Sequence, residues 1–228
     1  MDNLLLTFIS DTHTKHHQIP KQDLGRGDII FHSGDFTYRG LLEEVEDFLE
    51  WFASLDYTYK VFIAGNHELG FEIQKFIVPE KYKERGVYYL QDEEVILKGL
   101  KIYGSPWQPE FGGWEFNLPR NGQELTQKWD NIPEDVDVLL THSPIYGYLD
   151  KSREGIHCGC EMLYERVSKI TPWIHAWGHI HEAYGQKSLE GRKSREIINA
   201  SILNRDYQVK HKPVRMEAHK SIKYVDYL

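Results

Sequence analysis

A chain of 228 residues, 40% hydrophobic and 27% charged, is long enough for one substantial core and does not fit a disordered or membrane-embedded polypeptide. No apolar run approaches the roughly 18 residues needed to cross a bilayer, and the start "MDNLLLTFISD" lacks the basic flank and cleavage site of a signal peptide. A net charge of −8 argues against a broad duplex nucleic-acid surface, while a small phosphate ester stays compatible if bound cations supply local positive charge.

The first apolar run, "LLLTFIS" (4–10), predicts a buried strand and is followed by Asp11 and His13 in "ISDTH". His16 and His17 come next and read as a solvated loop, with a metal role as the lesser alternative. A second strand, "DIIFHSG" (28–34), carries His32 as an expected core histidine and ends at Asp35. The segment 41–55 sets Leu41, Leu42, Val45, Phe48, Leu49, Phe52 and Leu55 at helical spacing. "KVFIAG" (60–65) predicts a third strand, ending at Asn66 and His67 in "AGNHE".

"LKIYGS" (100–105) predicts a fourth strand. The aromatic segment after it, "SPWQPEFGGWEFNLPR", reads either as core filling or as a loop on which a nucleobase stacks; Arg120 at its end either steadies a phosphate or makes a surface salt bridge. A helix is expected over 121–131, then a strand over 136–142 that ends at His142. Cys158 and Cys160 stand too close for an ordinary structural disulfide and, with no second Cys pair to favour the alternative of a zinc site, are expected as free thiols in a loop entering a helix over 160–170, which ends near Pro172. The last predicted strand, "IHAWGH" (174–179), leads into His179 and His181. Strands and helices alternate, which predicts an α/β fold in one domain over 1–228.

Five apolar runs therefore end in side chains that bind metals or hydrogen bond. Ligands of open α/β sheets sit beyond the carboxyl ends of strands, so five such ends can meet in one crevice. Two Asp, one Asn and several His form an oxygen and nitrogen donor set without sulfur, suited to Mn²⁺, Fe, Zn²⁺ or Ni²⁺. Eight such groups exceed the needs of one ion and suit two, with one carboxylate bridging.

In order, these motifs resemble the D-x-H, G-D, G-N-H-[DE], H and G-H-x-H series of the calcineurin-like metallophosphoesterase superfamily. "GDFT", "GNHE", "GSPWQP", "FNLPRNGQ", "WDNIPEDVDVLLTHSP", "GHIHEAYG" and "INAS" are similar to segments of its metallophosphoesterase-domain-containing group. His142 is followed by "SPIYG" where that group has a Gly-Pro-Pro pattern. Some members of the group carry glycine at the position of His179, which this chain keeps.

The resemblance implies a four-layer α/β/β/α sandwich and two divalent ions, Mn²⁺ first. Carried over motif by motif, it places Asp11, His13 and His181 on one ion, Asn66, His142 and His179 on the other, and Asp35 on both. His67 is left free as a general acid, which a histidine serves well with an ordinary pKa of about 6.5. The expected substrate contacts are Asn66, His67, Trp107 and Arg120. The implied activity is hydrolysis of phosphodiesters by a metal-activated hydroxide, with 2′,3′- or 3′,5′-cyclic nucleotides as the expected substrates; the cytoplasm is the compartment expected from the apolar runs and the opening residues. A phosphomonoesterase or protein phosphatase, and a non-catalytic interaction module, are the alternatives; retention of all seven ligands plus His67 favours the enzyme.

Overall fold

Short β-branched runs flanked by glycine and polar turns make strands, and the computed structural model, which describes residues 3–189, 195–219 and 224–228, contains fourteen among them. In chain order they are β1 (Asn3–Ile9), β2 (Gly27–Ser33), β3 (Tyr57–Ile63), β4 (Val87–Tyr89), β5 (Glu93–Leu97), β6 (Leu100–Ser105), β7 (Gln108–Pro109), β8 (Asn117–Leu118), β9 (Val138–Thr141), β10 (Ile174–Trp177), β11 (Gly185–Leu189), β12 (Arg195–Asn199), β13 (Val214–His219) and β14 (Tyr224–Tyr227). The α-helices are α1 (Lys21–Leu24), α2 (Leu42–Ser54), α3 (Glu80–Lys83), α4 (Gln123–Asp130) and α5 (Glu161–Ile170). No helix among the described residues is long and apolar enough to cross a membrane.

Two six-stranded sheets carry the architecture, in the orders β14-β13-β1-β2-β3-β4 and β11-β12-β10-β9-β6-β5. The centre of each is parallel: β1 with β2, β2 with β3, β6 with β9, β9 with β10 and β10 with β12. Antiparallel strands close the first sheet on one side, β13 against β1 and β14 against β13, and the second on both, β11 against β12 and β5 against β6.

Successive strand residues point to opposite faces, and the two faces bury different things. Leu6, Phe8, Ile29, Phe31, Val61 and Ile63 of the first sheet join Ile102, Val138, Leu140, Ile174 and Ile198 of the second in one apolar cluster between the sheets. Their neighbours Ile9, Ile30, Phe62, Tyr103, Leu139 and Ile197 belong to a second cluster that takes in Val45, Phe48, Leu49 and Phe52 of α2 and Leu125, Trp129, Leu163 and Val167 of α4 and α5. The layers are therefore helix, sheet, sheet, helix.

Helix α2 confirms the helical spacing of 41–55 with one difference. Leu41 and Leu42 are exposed, because Leu41 is the residue before the first turn; there the Glu44 carboxylate accepts the backbone N–H groups of Arg39 and Leu41. Helix α5 ends at Ile170 and is capped by Thr171 in the left-handed region, one residue before Pro172.

The carboxyl ends of the parallel strands meet along one edge. Ser10, just past β1, bridges in parallel to Ser201, just past β12, and the Ile202 N–H donates to the Ser10 carbonyl at 2.9 Å. This seam sets the turns after β1, β2 and β3 against those after β9, β10 and β12.

Candidate metal centre

Each strand stops one to three residues before its polar side chain: Ile9 before Asp11, Ser33 before Asp35, Ile63 before Asn66, Thr141 before His142 and Trp177 before His179. The chain then turns sharply. Asp11, His13, Asp35 and His179 all have φ between 38° and 69°, a left-handed conformation that is uncommon for residues other than glycine and is tolerated where the surroundings fix it. The motif glycines admit the close approach these turns need: a Cβ on Gly178 would overlap the Asp11 Oδ2 and Ser10 Oγ atoms, and one on Gly34, whose φ is 96°, would lie 2.7 Å from His142 Nδ1.

Two three-residue groups of donor atoms result, Asp11 with His13 and His181, and Asp35 with His142 and His179. Asp35 Oδ2 lies 3.7 Å from His13 Nε2 and 3.4 Å from His142 Nε2, so it stands between the groups. His142 Nε2 is also 3.0 Å from Asn66 Oδ1, and His181 Nε2 is 3.5 Å from Asp11 Oδ1.

Three of the histidines have their tautomer fixed from behind. His13 Nδ1 donates to the Thr37 carbonyl at 3.1 Å, His142 Nδ1 to that of Ser33 at 2.9 Å and His181 Nδ1 to that of Asn204 at 3.1 Å. When such a ring is neutral, donation from Nδ1 leaves Nε2 as a lone pair, the arrangement of a metal-ligating histidine. Two such atoms, on His13 and His181, face each other at 3.3 Å, a contact that needs a metal ion or a shared proton between them. The donor set, its tautomers and its spacing thus fit divalent metal.

Burial opposes charge throughout the centre, and opposite partners restore it where they are close. Burial alone would raise the Asp11 carboxyl, but His181, by hydrogen bond and charge, holds it below the usual carboxylate range. Asp35 is likewise lowered against burial by His142, His67 and His13. His142 rises to about 9 despite burial because Asp35 faces it, whereas burial takes His13 to about 4 and His179 to about 3.

His67 lies 6% exposed beside this centre. Its backbone N–H donates to Asp35 Oδ1 at 2.9 Å, and its Nδ1 donates to the Tyr38 carbonyl at 2.8 Å. The indole of Trp114 stacks on its ring with centroids 4.3 Å apart. His67 also forms a donor group with His13 and Asp35, close enough to compete as a ligand.

Trp107 and Arg120, expected to contact substrate, make their contacts elsewhere. Trp107 is buried against Phe116, gives its indole N–H to Asp92 and carries the Lys128 ammonium over its ring. Arg120 donates to the carbonyls of Cys158 and Gly159 and pairs with Glu161 at 2.6 Å, which is the salt-bridge alternative for that residue. The aromatic segment reaches the centre through Trp114, on His67, and Phe111, whose ring meets His179 edge-on at 4.9 Å. Tyr38 and Tyr207 add two more rings around His13. His32 is the core histidine expected, 3.0 Å from the Thr12 hydroxyl that stands between Asp11 and His13. Both cysteines are free, with Cys160 buried at the start of α5.

Two supporting carboxylate and hydroxyl groups carry no expectation from sequence. Glu68 accepts the N–H groups of Asp35 (2.9 Å), Gly65 (2.6 Å) and Thr37 (2.9 Å) and the Thr37 hydroxyl, locking the Asp35 turn to the Asn66 turn. Burial, with the Asp35 charge beside it, raises this carboxyl to about 8 against those donors. Ser201 donates its hydroxyl to Asp11 Oδ2 at 2.8 Å. The signal for Glu68 was its place directly after Asn66 and His67 in a glycine-led turn; Ser201 offered none beyond its place after an apolar run.

Comparison with known proteins agrees with this geometry. The family profile of the calcineurin-like phosphoesterases matches residues 4–183. The human metallophosphoesterase domain-containing protein 1 is 42% identical over 90% of this chain and 68% of its own length, and the mouse protein of the same name matches equally. Among solved structures, a protein of Thermus thermophilus superposes with a TM-score of 0.61 at 12% identity, covering 98% of this chain and 97% of its own. The phosphopantetheinyl hydrolase of Mycobacterium tuberculosis superposes at 0.52 with 14% identity over 89% and 90%. Those two show a shared fold. With the strand ends, the donor groups and the sequence match together, the chain belongs to the calcineurin-like phosphoesterase family of metal-dependent phosphoesterases.

Proposed function

We propose that this protein hydrolyses phosphodiesters, with small or cyclic nucleotides as substrates, at a centre of two divalent ions. Asp11, His13 and His181 hold one ion, Asn66, His142 and His179 the other, and Asp35 both; Mn²⁺ is the expected metal, with Fe, Zn²⁺ and Ni²⁺ compatible with the donors. Such a pair supplies positive charge for the phosphoryl oxygens and acidity for an attacking water. The observation that carries the reading is the place of Asp35 Oδ2 between His13 and His142, with one donor group on either side.

The remaining work falls to the chain's own groups. His67, tethered through Nδ1 to the Tyr38 carbonyl, keeps Nε2 for a proton that it gives to the leaving oxygen, a role worth typically about 10²–10⁴-fold. Tyr38, Phe111 and Trp114 are partly exposed rings at the rim and offer stacking faces to a base.

Two measurements test the proposal. The Mn²⁺-loaded protein is assayed against a phosphomonoester, a linear diester and 2′,3′- and 3′,5′-cyclic nucleotides; turnover of diesters over the monoester is expected, and no turnover with metal bound overturns the reading in favour of a binding module. Metal content of purified His67→Ala and Asp35→Ala separates acid from ligand. Loss is expected from Asp35→Ala alone, and equal loss from both would make His67 a ligand.

A further inference from the structure

His16 and His17, which the sequence reads as a solvated loop, are not alike in the fold. They form the 3₁₀ turn His16–Gln18 that packs against α2. His17 is exposed, but His16 is 0% exposed and wedged between Trp51 and Phe48. Asp47, thirty residues away on α2, presents one carboxylate oxygen to each ring: Oδ2 lies 3.0 Å from His16 Nε2, and Oδ1 lies 3.0 Å from His17 Nε2.

We propose that His16, His17 and Asp47 form a second, peripheral site for a first-row transition-metal ion, Zn²⁺ by preference, separate from the centre at Asp35. Two independent observations point there. The three donor atoms lie within 4.8 Å of one another, and their 3.0 Å contacts approach the separation of about 3.3 Å between ligands held tetrahedrally at roughly 2.0–2.1 Å from zinc. The second is the state of His16: the ring is buried, Nδ1 makes no hydrogen bond, and Nε2 meets nothing but the Asp47 carboxylate, in a poorly aligned contact. A buried imidazole so poorly satisfied costs stability, and a cation shared by Nε2 and the Asp47 carboxylate reduces that cost.

Two imidazoles and one carboxylate leave a fourth position open, a set that suits Zn²⁺, Ni²⁺ or Cu²⁺ and does not suit Mg²⁺ or Ca²⁺. An ion there would tie the turn three residues beyond His13 to α2.

The test is metal stoichiometry, which does not depend on turnover. The full chain, stripped with a chelator, is titrated with Zn²⁺ against a chromogenic competitor, alongside His17→Ala and Asp47→Asn, both exposed positions that the fold tolerates. Each variant is expected to bind one equivalent fewer than the parent. The same one-equivalent loss is expected when His17→Ala is added to Asp35→Asn, whose own deficit reports the main centre separately. Equal stoichiometry with and without His17→Ala, in either background, would overturn the proposal and leave the reading of the main centre untouched.

Discussion

The Ser201 hydroxyl donates to Asp11 Oδ2 at 2.8 Å, so a residue just past β12 in one sheet fixes a carboxylate just past β1 in the other. Ser201 Oγ is also 2.8 Å from Asn199 Oδ1, and the Asp11 carboxylate accepts the His179 N–H at 3.0 Å. One buried carboxylate thereby receives the ends of both sheets and the turn that carries His179. Ser201→Ala should cost about 1–3 kcal/mol, since it leaves a buried charged acceptor short of a donor. Chemical denaturation checks the stability, and weaker metal retention should accompany it.

Gly178 carries a related prediction. A methyl group there would overlap Asp11 Oδ2 and Ser10 Oγ, and neither belongs to a flexible chain with room to withdraw. Gly178→Ala should keep the sheets, as read by far-ultraviolet circular dichroism, while lowering metal affinity at least tenfold. Unchanged affinity would mean that Asp11 is not held as tightly as its contacts indicate.

Trp114 lies over His67 at the rim of the centre, with 38% of its surface exposed. If a base stacks on these rings, Trp114→Ala removes about 1–3 kcal/mol of stacking. The expected result is a rise of roughly 5- to 150-fold in KM for a cyclic nucleotide, with a much smaller change for dimethyl phosphate-like diesters that have no ring. An equal change for both substrates would assign Trp114 to holding His67 instead.

How much of this was legible before folding depended on the kind of signal. The six apolar runs became β1, β2, β3, β6, β9 and β10 because fully buried parallel strands must be apolar on both faces. β13 alternates buried and half-buried residues in "VRMEAH", and β5 and β11 are largely exposed edge strands with at most three apolar residues in a row, so none of them presents such a run. The ligand-type residues were readable because each follows a strand by a fixed short turn. Trp107 and Trp114 were not separable in sequence, since which indole lies over His67 and which gives its N–H to Asp92 is decided by the path of the loop. Asp47 was invisible for the same reason: a charged residue on an exposed helix face gains its meaning only when the turn at His16 packs beside it.

His175, on β10, gives a prediction about acid stability. Its Nε2 is 2.9 Å from the Thr141 hydroxyl, which itself donates to the Ser143 carbonyl at 2.7 Å; Nε2 must therefore carry the proton and donate. Nδ1 is then a bare lone pair, buried and without a partner. Protonating it would place a charged N–H where nothing accepts it, and burial accordingly lowers the group from 6.5 to about 3. Above pH 6.5 neither the folded nor the unfolded chain binds this proton, and its contribution to stability is complete. As the pH falls from 6.5 toward 3, the unfolded chain takes up a proton that the folded chain refuses, so stability is lost at up to about 1.4 kcal/mol per pH unit. His175→Gln keeps a donor for Thr141 and cannot titrate. Denaturation midpoints measured at pH 7.5 and 5.5 should show the parent losing about 1.4 kcal/mol more than the variant over that interval. Parallel losses in the two proteins would mean that His175 is protonated in the fold, and that Nδ1 finds an acceptor after all.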